Sequence, residues 1–145
     1  MRVLALTAAL AGMVGAAATA QQFDYGFAGL MGKANRSDVP DLTLGSGKPV
    51  QAEPAMLKSG GYYKMKIVAD GSAELALSGG DFFRAIWINE IVINNIEIRP
   101  MGVHSLEFDA AGEAEISFIA ITPGTYTLSI PGSSGETQKA IFRIQ

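Results

Sequence analysis

The run Glu115–Gly132, EISFIAITPGTYTLSIPG, holds two strands and the corner between them. Glu115 and Ser117 alternate with Ile116 and Phe118. Thr125, Thr127 and Ser129 then alternate with Tyr126, Leu128 and Ile130. Alternation with period two is the signature of a strand with one face buried and one in water. Thr122-Pro123-Gly124 separates the two runs: proline pre-sets φ near −65° and glycine supplies φ > 0, which together write a tight turn. A strand, a Pro-Gly turn, a Gly-Thr-Tyr strand and an Ile-Pro-Gly exit describe an all-β chain.

The same rhythm extends in both directions. Downstream, Gly132–Thr137 reads as a flexible loop and KAIFRI, 139–144, closes the sheet. Upstream, Val103–Phe108 alternates between the turns Arg99–Gly102 and Asp109–Gly112. IWINEIVINNIEI, 86–98, is rich in β-branched residues but keeps neither a clean period of 2 nor one of 3.6. A bulge or bend at Asn89-Glu90 or Asn94-Asn95 reconciles it with two short strands. Tyr62–Val68 (YYKMKIV) is a strand, and Asp70-Gly71 a turn before the strand 73–77. Lys48–Leu57 carries two prolines and reads as an irregular edge; Asp41–Leu44 is a brief strand. Strands every eight to twelve residues with glycine turns between them indicate a β-sandwich.

Composition narrows the function. Met1-Arg2, the apolar run Val3–Val14 and Ala18-Thr19-Ala20 describe a secretory leader cleaved after Ala20; the apolar run is short for a membrane span. The expected organisation is leader 1–20, a flexible N-terminal segment 21–39 with Phe23, Tyr25 and Phe27, and the sandwich over 40–145, with periplasmic or secreted localisation. Without Arg2 the chain keeps ten basic and fourteen acidic residues, a formal charge of −4, interspersed along its length. That balance argues against nucleic acid and against an anionic membrane surface as partners. The absence of cysteine excludes disulfides and thiolate metal sites, and one histidine leaves no Ser-His-Asp or multi-histidine zinc site. No residue pattern supports nucleophilic or acid–base catalysis, so the chain is not expected to be an enzyme.

Two runs resemble the cupredoxins, the small blue-copper sandwiches. In that family a strand, a PGTY turn and a strand lead into a metal loop that reads roughly Cys-x-x-Pro-Gly-His with a downstream Met. Here the loop reads Leu128-Ser129-Ile130-Pro131-Gly132-Ser133-Ser134-Gly135. Asp81-Phe82-Phe83-Arg84-Ala85 is similar to a (P)EFFRA run that one group of exported cupredoxin-like proteins carries just after the first copper histidine. That histidine would fall near Glu74–Leu77, where this chain has none. The resemblance covers roughly residues 40–145. It implies a Greek-key β-sandwich, cupredoxin-like, of about seven or eight strands. It transfers the scaffold and not the activity, because a type 1 centre requires two histidines and a thiolate.

The function expected from this combination is a periplasmic accessory or binding protein on a cupredoxin-like scaffold. It would lack a type 1 copper site and any cofactor, and act by contact with another exported redox or metal-handling protein. The resemblance puts the loops 78–84 and 131–137 together at the end where cupredoxins hold metal and meet partners. Asp81, Phe82, Phe83, Arg84, Pro131, Gly132, Ser133 and Ser134 are the expected contact surface. Phe82, Phe83 and Trp87 also read as core packing. The alternative function is a Cu(I) or small-ligand carrier using Met101 and His104, since thioether plus imidazole suits Cu(I). Methionines clustered around His104 would favour the carrier, and scattered ones the contact protein.

Overall fold

The computed structural model describes residues 29–145, and both the expected leader and residues 21–28 lie outside the described residues. Eleven strands and one short helix follow in order: Arg36–Asp38 (β1), Leu42–Leu44 (β2), Ala55–Leu57 (β3), Tyr62–Ala69 (β4), Leu75–Ser78 (β5), Gly80–Arg84 (α1), Ile86–Ile93 (β6), Ile96–Ile98 (β7), Ser105–Phe108 (β8), Gly112–Ala120 (β9), Gly124–Ser129 (β10) and Lys139–Ile144 (β11). They form two sheets. One runs β1-β4-β9-β6-β7, with β2 sharing the β4 edge beside β1; the other runs β3-β11-β10-β5-β8. β6–β7 and β10–β11 are hairpins, while the links β4–β5, β5–β6, β7–β8, β8–β9 and β9–β10 each change sheet, which is Greek-key wiring of a sandwich. The surplus over seven or eight strands comes from three-residue edges such as β1 and β3, both paired in parallel with a longer strand.

The alternation in the sequence becomes the two faces of each strand. Along β4, Met65 and Ile67 are buried and Lys64 and Lys66 are not; along β9, Ile116 and Phe118 are buried. The pairing Met65↔Ile116 and Tyr63↔Phe118 stacks these residues on one face of the first sheet, against Leu77, Leu128 and Phe142 of the second. On the outer face, Lys64 pairs with Glu115, and Lys66 with Glu113 at 3.0 Å.

Both anticipated irregularities of 86–98 occur. The β6–β9 register shifts between Ile88 and Glu90, so Asn89 is an extra residue in the strand. Its amide nitrogen donates to Ser117 Oγ at 3.1 Å, and its Oδ1 accepts from Arg99 at 2.8 Å. Asn94 and Asn95 both have positive φ (48° and 63°), the backbone of a two-residue hairpin turn.

The Thr122-Pro123-Gly124 turn carries the chain from β9 in one sheet to β10 in the other. Tyr126 fastens it, its hydroxyl donating to the carbonyls of Thr122 (3.1 Å) and Pro123 (3.3 Å). A second link joins the strand ends: Lys48 Nζ lies 2.7 Å from Asp70 Oδ2, and the Ser72 N–H donates to Asp70 Oδ1 at 2.8 Å. The lysine, and then these serine contacts, hold the Asp70 carboxyl well below its usual range.

The sandwich begins before residue 40. β1 pairs with Tyr62–Lys64, Val39 is buried, and the Asn35 amide donates to the Gly60 carbonyl at 2.8 Å.

Candidate functional site

α1 is the only α-helix among the described residues, and it lies where β5 would otherwise continue beside β10. Its start is pressed onto that strand: a Cβ on Gly79 would sit 2.3 Å from the Thr127 carbonyl oxygen, so glycine is required there by space. The helix then sends Phe82 and Phe83 inward. Phe82 stacks on Phe142 at 4.2 Å and meets Phe83 and Phe118 edge-on at 5.6 and 5.8 Å, so one ring touches both sheets. The two phenylalanines are 0% and 6% exposed. They are therefore core residues, and the contact surface expected over 81–84 reduces to Asp81 and Arg84, whose side chains stand in solvent and approach each other to 3.8 Å.

The rest of that surface is divided. Ser78 pairs with Ser129, so the two loops start side by side. From there they diverge. α1 runs back along β10 until the Ala85 carbonyl accepts from the amides of Ile121 and Thr122, next to Gly124. Pro131–Ser134 continues beyond the other end of the strand, where Ser133 N–H and Oγ both donate to the Ile130 carbonyl. Arg84 and Gly132 are separated by the length of β10, about 17 Å. They do not form one patch. Trp87, also a core expectation, is half-exposed on the outer face of the first sheet opposite Ile119.

Between α1 and β10 lies a groove of about 750 Å³. Its floor is the outer face of β10 (Thr125, Thr127, Ser129), its wall Asp81 and Arg84, and its mouth His104. Ser78 Oγ stands 3.4 Å from His104 Nδ1, and the Gly79 amide donates to the His104 carbonyl at 3.2 Å. Among the described residues no carboxylate hydrogen-bonds the ring, so the pair lacks the orienting third group of a nucleophilic triad. The groove offers hydroxyls, one imidazole, one guanidinium and the Asp81 carboxylate.

Met101 lies three residues before His104 and is fully exposed. The other described methionines are dispersed. Met65 is buried in mid-sheet. Met56 lies on β3, at the opposite edge of its sheet from β8, about 19 Å away across four strand spacings. Met31 precedes β1, on the far edge of the other sheet.

A second feature was not legible in the sequence: the sandwich is open along one side. β7 and β8 are the edges of their sheets there. Ile91 pairs with Ile98 and Ile93 with Ile96, so Ile96 and Ile98 share the inward face of β6. No strand of the second sheet reaches over them, and they are 64% and 43% exposed. Between this face and β8 is a cleft of about 260 Å³ lined by Ile93, Leu106 and Phe108, and closed below by Ala110–Gly112. Together with Met101 and the half-buried Val103, which lie on the link between β7 and β8, these residues are the apolar members of the open side, the seam. Its rim on the β8 side is acidic. Carboxylate oxygens of Glu74, Glu107 and Asp109 lie within 4.8 Å of one another, all exposed.

No protein-family model and no curated protein matches the chain. Solved structures do. The chain is similar to a copper nitrite reductase from Nitrosomonas europaea, with 15% identity and a TM-score of 0.51 over 65% of this chain and 33% of that one. It is also similar to a multicopper oxidase from Pseudomonas thermotolerans, with 12% identity and a TM-score of 0.55 over 77% of this chain and 30% of that one. The chain thus spans about a third of the length of these proteins. At such identities the likeness concerns the fold alone, and that fold is the cupredoxin-like β-sandwich.

Proposed function

We propose that this chain is an exported, non-catalytic binding protein on a cupredoxin-like scaffold, without copper of its own. It acts by contact with another exported redox or metal-handling protein. The observation that carries this reading is the open seam. Ile96, Ile98 and Met101 place apolar side chains in water beside two strand edges that are unpaired among the described residues, an arrangement that marks interaction sites. The absence of cysteine and the single histidine support the copper-free part, because the thiolate and second imidazole of a type 1 centre have no source in these residues. The leader-like first twenty residues support export.

The test is site-specific photo-crosslinking in the producing cell, with a benzophenone side chain at Ile98 or at Arg143 on the outer face of the other sheet. A discrete adduct with one exported protein from Ile98, absent from Arg143, is the expected result. No adduct from the seam, or equal adducts from both positions, would overturn it.

The carrier reading keeps one observation in its favour: His104 stands at the mouth of a groove of about 750 Å³, within the size range of small-ligand sites. That groove is polar and walled by solvent-exposed side chains, whereas such sites are mostly apolar and bury their ligand. The dispersed methionines leave His104 with Met101 as its nearest thioether in sequence.

A further inference from the structure

The seam is small for a free ligand. Its cleft of about 260 Å³ lies below the roughly 300–1,000 Å³ of small-molecule pockets. It suits single side chains delivered one after another by a larger partner. Its flanks say how they arrive. Among the described residues β8 bonds only to β5, which leaves its other edge with N–H and C=O groups that no described strand pairs, facing the seam side. A strand laid against that edge points alternate side chains toward Ile96, Ile98, Leu106 and Phe108, and the others toward the outer face. On that outer face the first residue it meets is Glu107, with Glu74 and Asp109 beside it.

We propose that the seam receives an extended segment of a partner protein, apolar at alternate positions and carrying lysine or arginine between them, which adds to the β8 edge as a new strand. This rests on the contact function proposed above and names the chemistry of its partner. The inward positions fill the cleft. The outward cations sit across from Glu107 and its neighbours, where an opposite-charge cross-strand pair is favourable. The same carboxylates exclude a second copy of this chain, because two β8 edges brought together would oppose Glu107 and Asp109 to their own kind. Edge hydrogen bonds supply affinity, side-chain alternation supplies register, and charge selects the partner.

The probe is a synthetic decapeptide of alternating Val and Lys, titrated into the purified protein by calorimetry. A control peptide carries glutamates in place of the lysines. Binding of the lysine peptide is expected. It should weaken about tenfold or more in Ile96→Asp and in Glu107→Lys/Asp109→Lys, and fall with added salt. The glutamate peptide should bind Glu107→Lys/Asp109→Lys better than the parent protein. These positions are exposed, so the variants are expected to fold, which circular dichroism verifies. Equal binding of both peptides, or binding indifferent to Ile96→Asp, would overturn the proposal. So would the absence of peptide binding when Ile98 crosslinks to a foreign protein, an outcome that leaves the contact function standing. A crosslink from Ile98 to a second copy would overturn both.

Discussion

Replacing Phe82 with alanine separates a core role from a contact role for the Asp81–Ala85 run. The ring is fully buried and touches three others: Phe142 stacked at 4.2 Å, and Phe83 and Phe118 edge-on. Phe→Ala in a core costs about 3–5 kcal/mol, and favourable ring pairs add about 0.5–1.5 kcal/mol each beyond burial. Because Phe82 bridges the two sheets, the cavity it leaves has little room to collapse, which places the cost near the upper end, about 4–5 kcal/mol. Against a total of about 5–15 kcal/mol for a domain, that is about a quarter of the stability or more. At about 3–4 °C per kcal/mol for a chain of this size, the melting temperature should fall by roughly 15 °C. Urea unfolding followed by far-ultraviolet circular dichroism reads the change, with Arg84→Ala as a surface comparison expected within about 0.5 kcal/mol of the parent. A loss below about 1 kcal/mol for Phe82→Ala would refute the packing argument and return the phenylalanine to the contact surface.

Further outcomes follow from the same geometry. Asn89→Ala removes the side chain that joins Ser117 to Arg99 across the bulge and should cost about 1–3 kcal/mol in the same unfolding assay, because the buried serine hydroxyl loses its partner; a neutral result would mean the bulge holds without it. Gly79→Ala drives a methyl into the Thr127 carbonyl and should cost about 1–3 kcal/mol, with α1 displaced from β10; unchanged stability would contradict that close approach. Asp70→Asn should lower the melting temperature at pH 7. The folded-state carboxyl is held low, so its contribution is complete above the unfolded value of about 3.9 and is lost as the pH falls toward the folded one. The gap between variant and parent should therefore narrow progressively as the pH falls below about 4, and a gap independent of pH would exclude the Lys48 pairing as its source. Titration with Cu(I) and Cu(II) should show no site tighter than about micromolar; a tighter site lost in His104→Ala would establish the carrier instead.

The long strands were legible because alternation survives wherever one face of a strand is buried and the other wet. YYKMKIV, EAEISFIA and KAIFRI all keep it, and all lie in the sheets within a residue or two of where their pattern begins and ends. The Asn89 bulge was legible as a break in that pattern. β1 was not, since three residues carry no period; β3 was legible as part of an irregular edge, which it is, but its parallel partner more than eighty residues downstream was not. The corner could have been read more fully: Tyr126, close after Pro123-Gly124, is positioned to return its hydroxyl to the turn. Phe82 and Phe83 show why an aromatic pair after two glycines is ambiguous, because the helix that turns both inward is fixed by contacts with β10. The seam depends on something local sequence does not encode. Ile96 and Ile98 are core-facing through their pairing with β6, but the opposite sheet ends before it covers them.

β11 lies between β3 and β10, inside its sheet, although it follows every other described strand in sequence. A nascent chain therefore cannot assemble the second sheet until 139–144 have left the ribosome, and β3 must wait for a partner more than eighty residues downstream. Non-local closure of this kind makes all-β domains slow to fold, typically in milliseconds to seconds. Were the chain exported as proposed above, such lateness would be useful. It would keep the polypeptide threadable until β11 is made, so that the sandwich closes after translocation rather than before it.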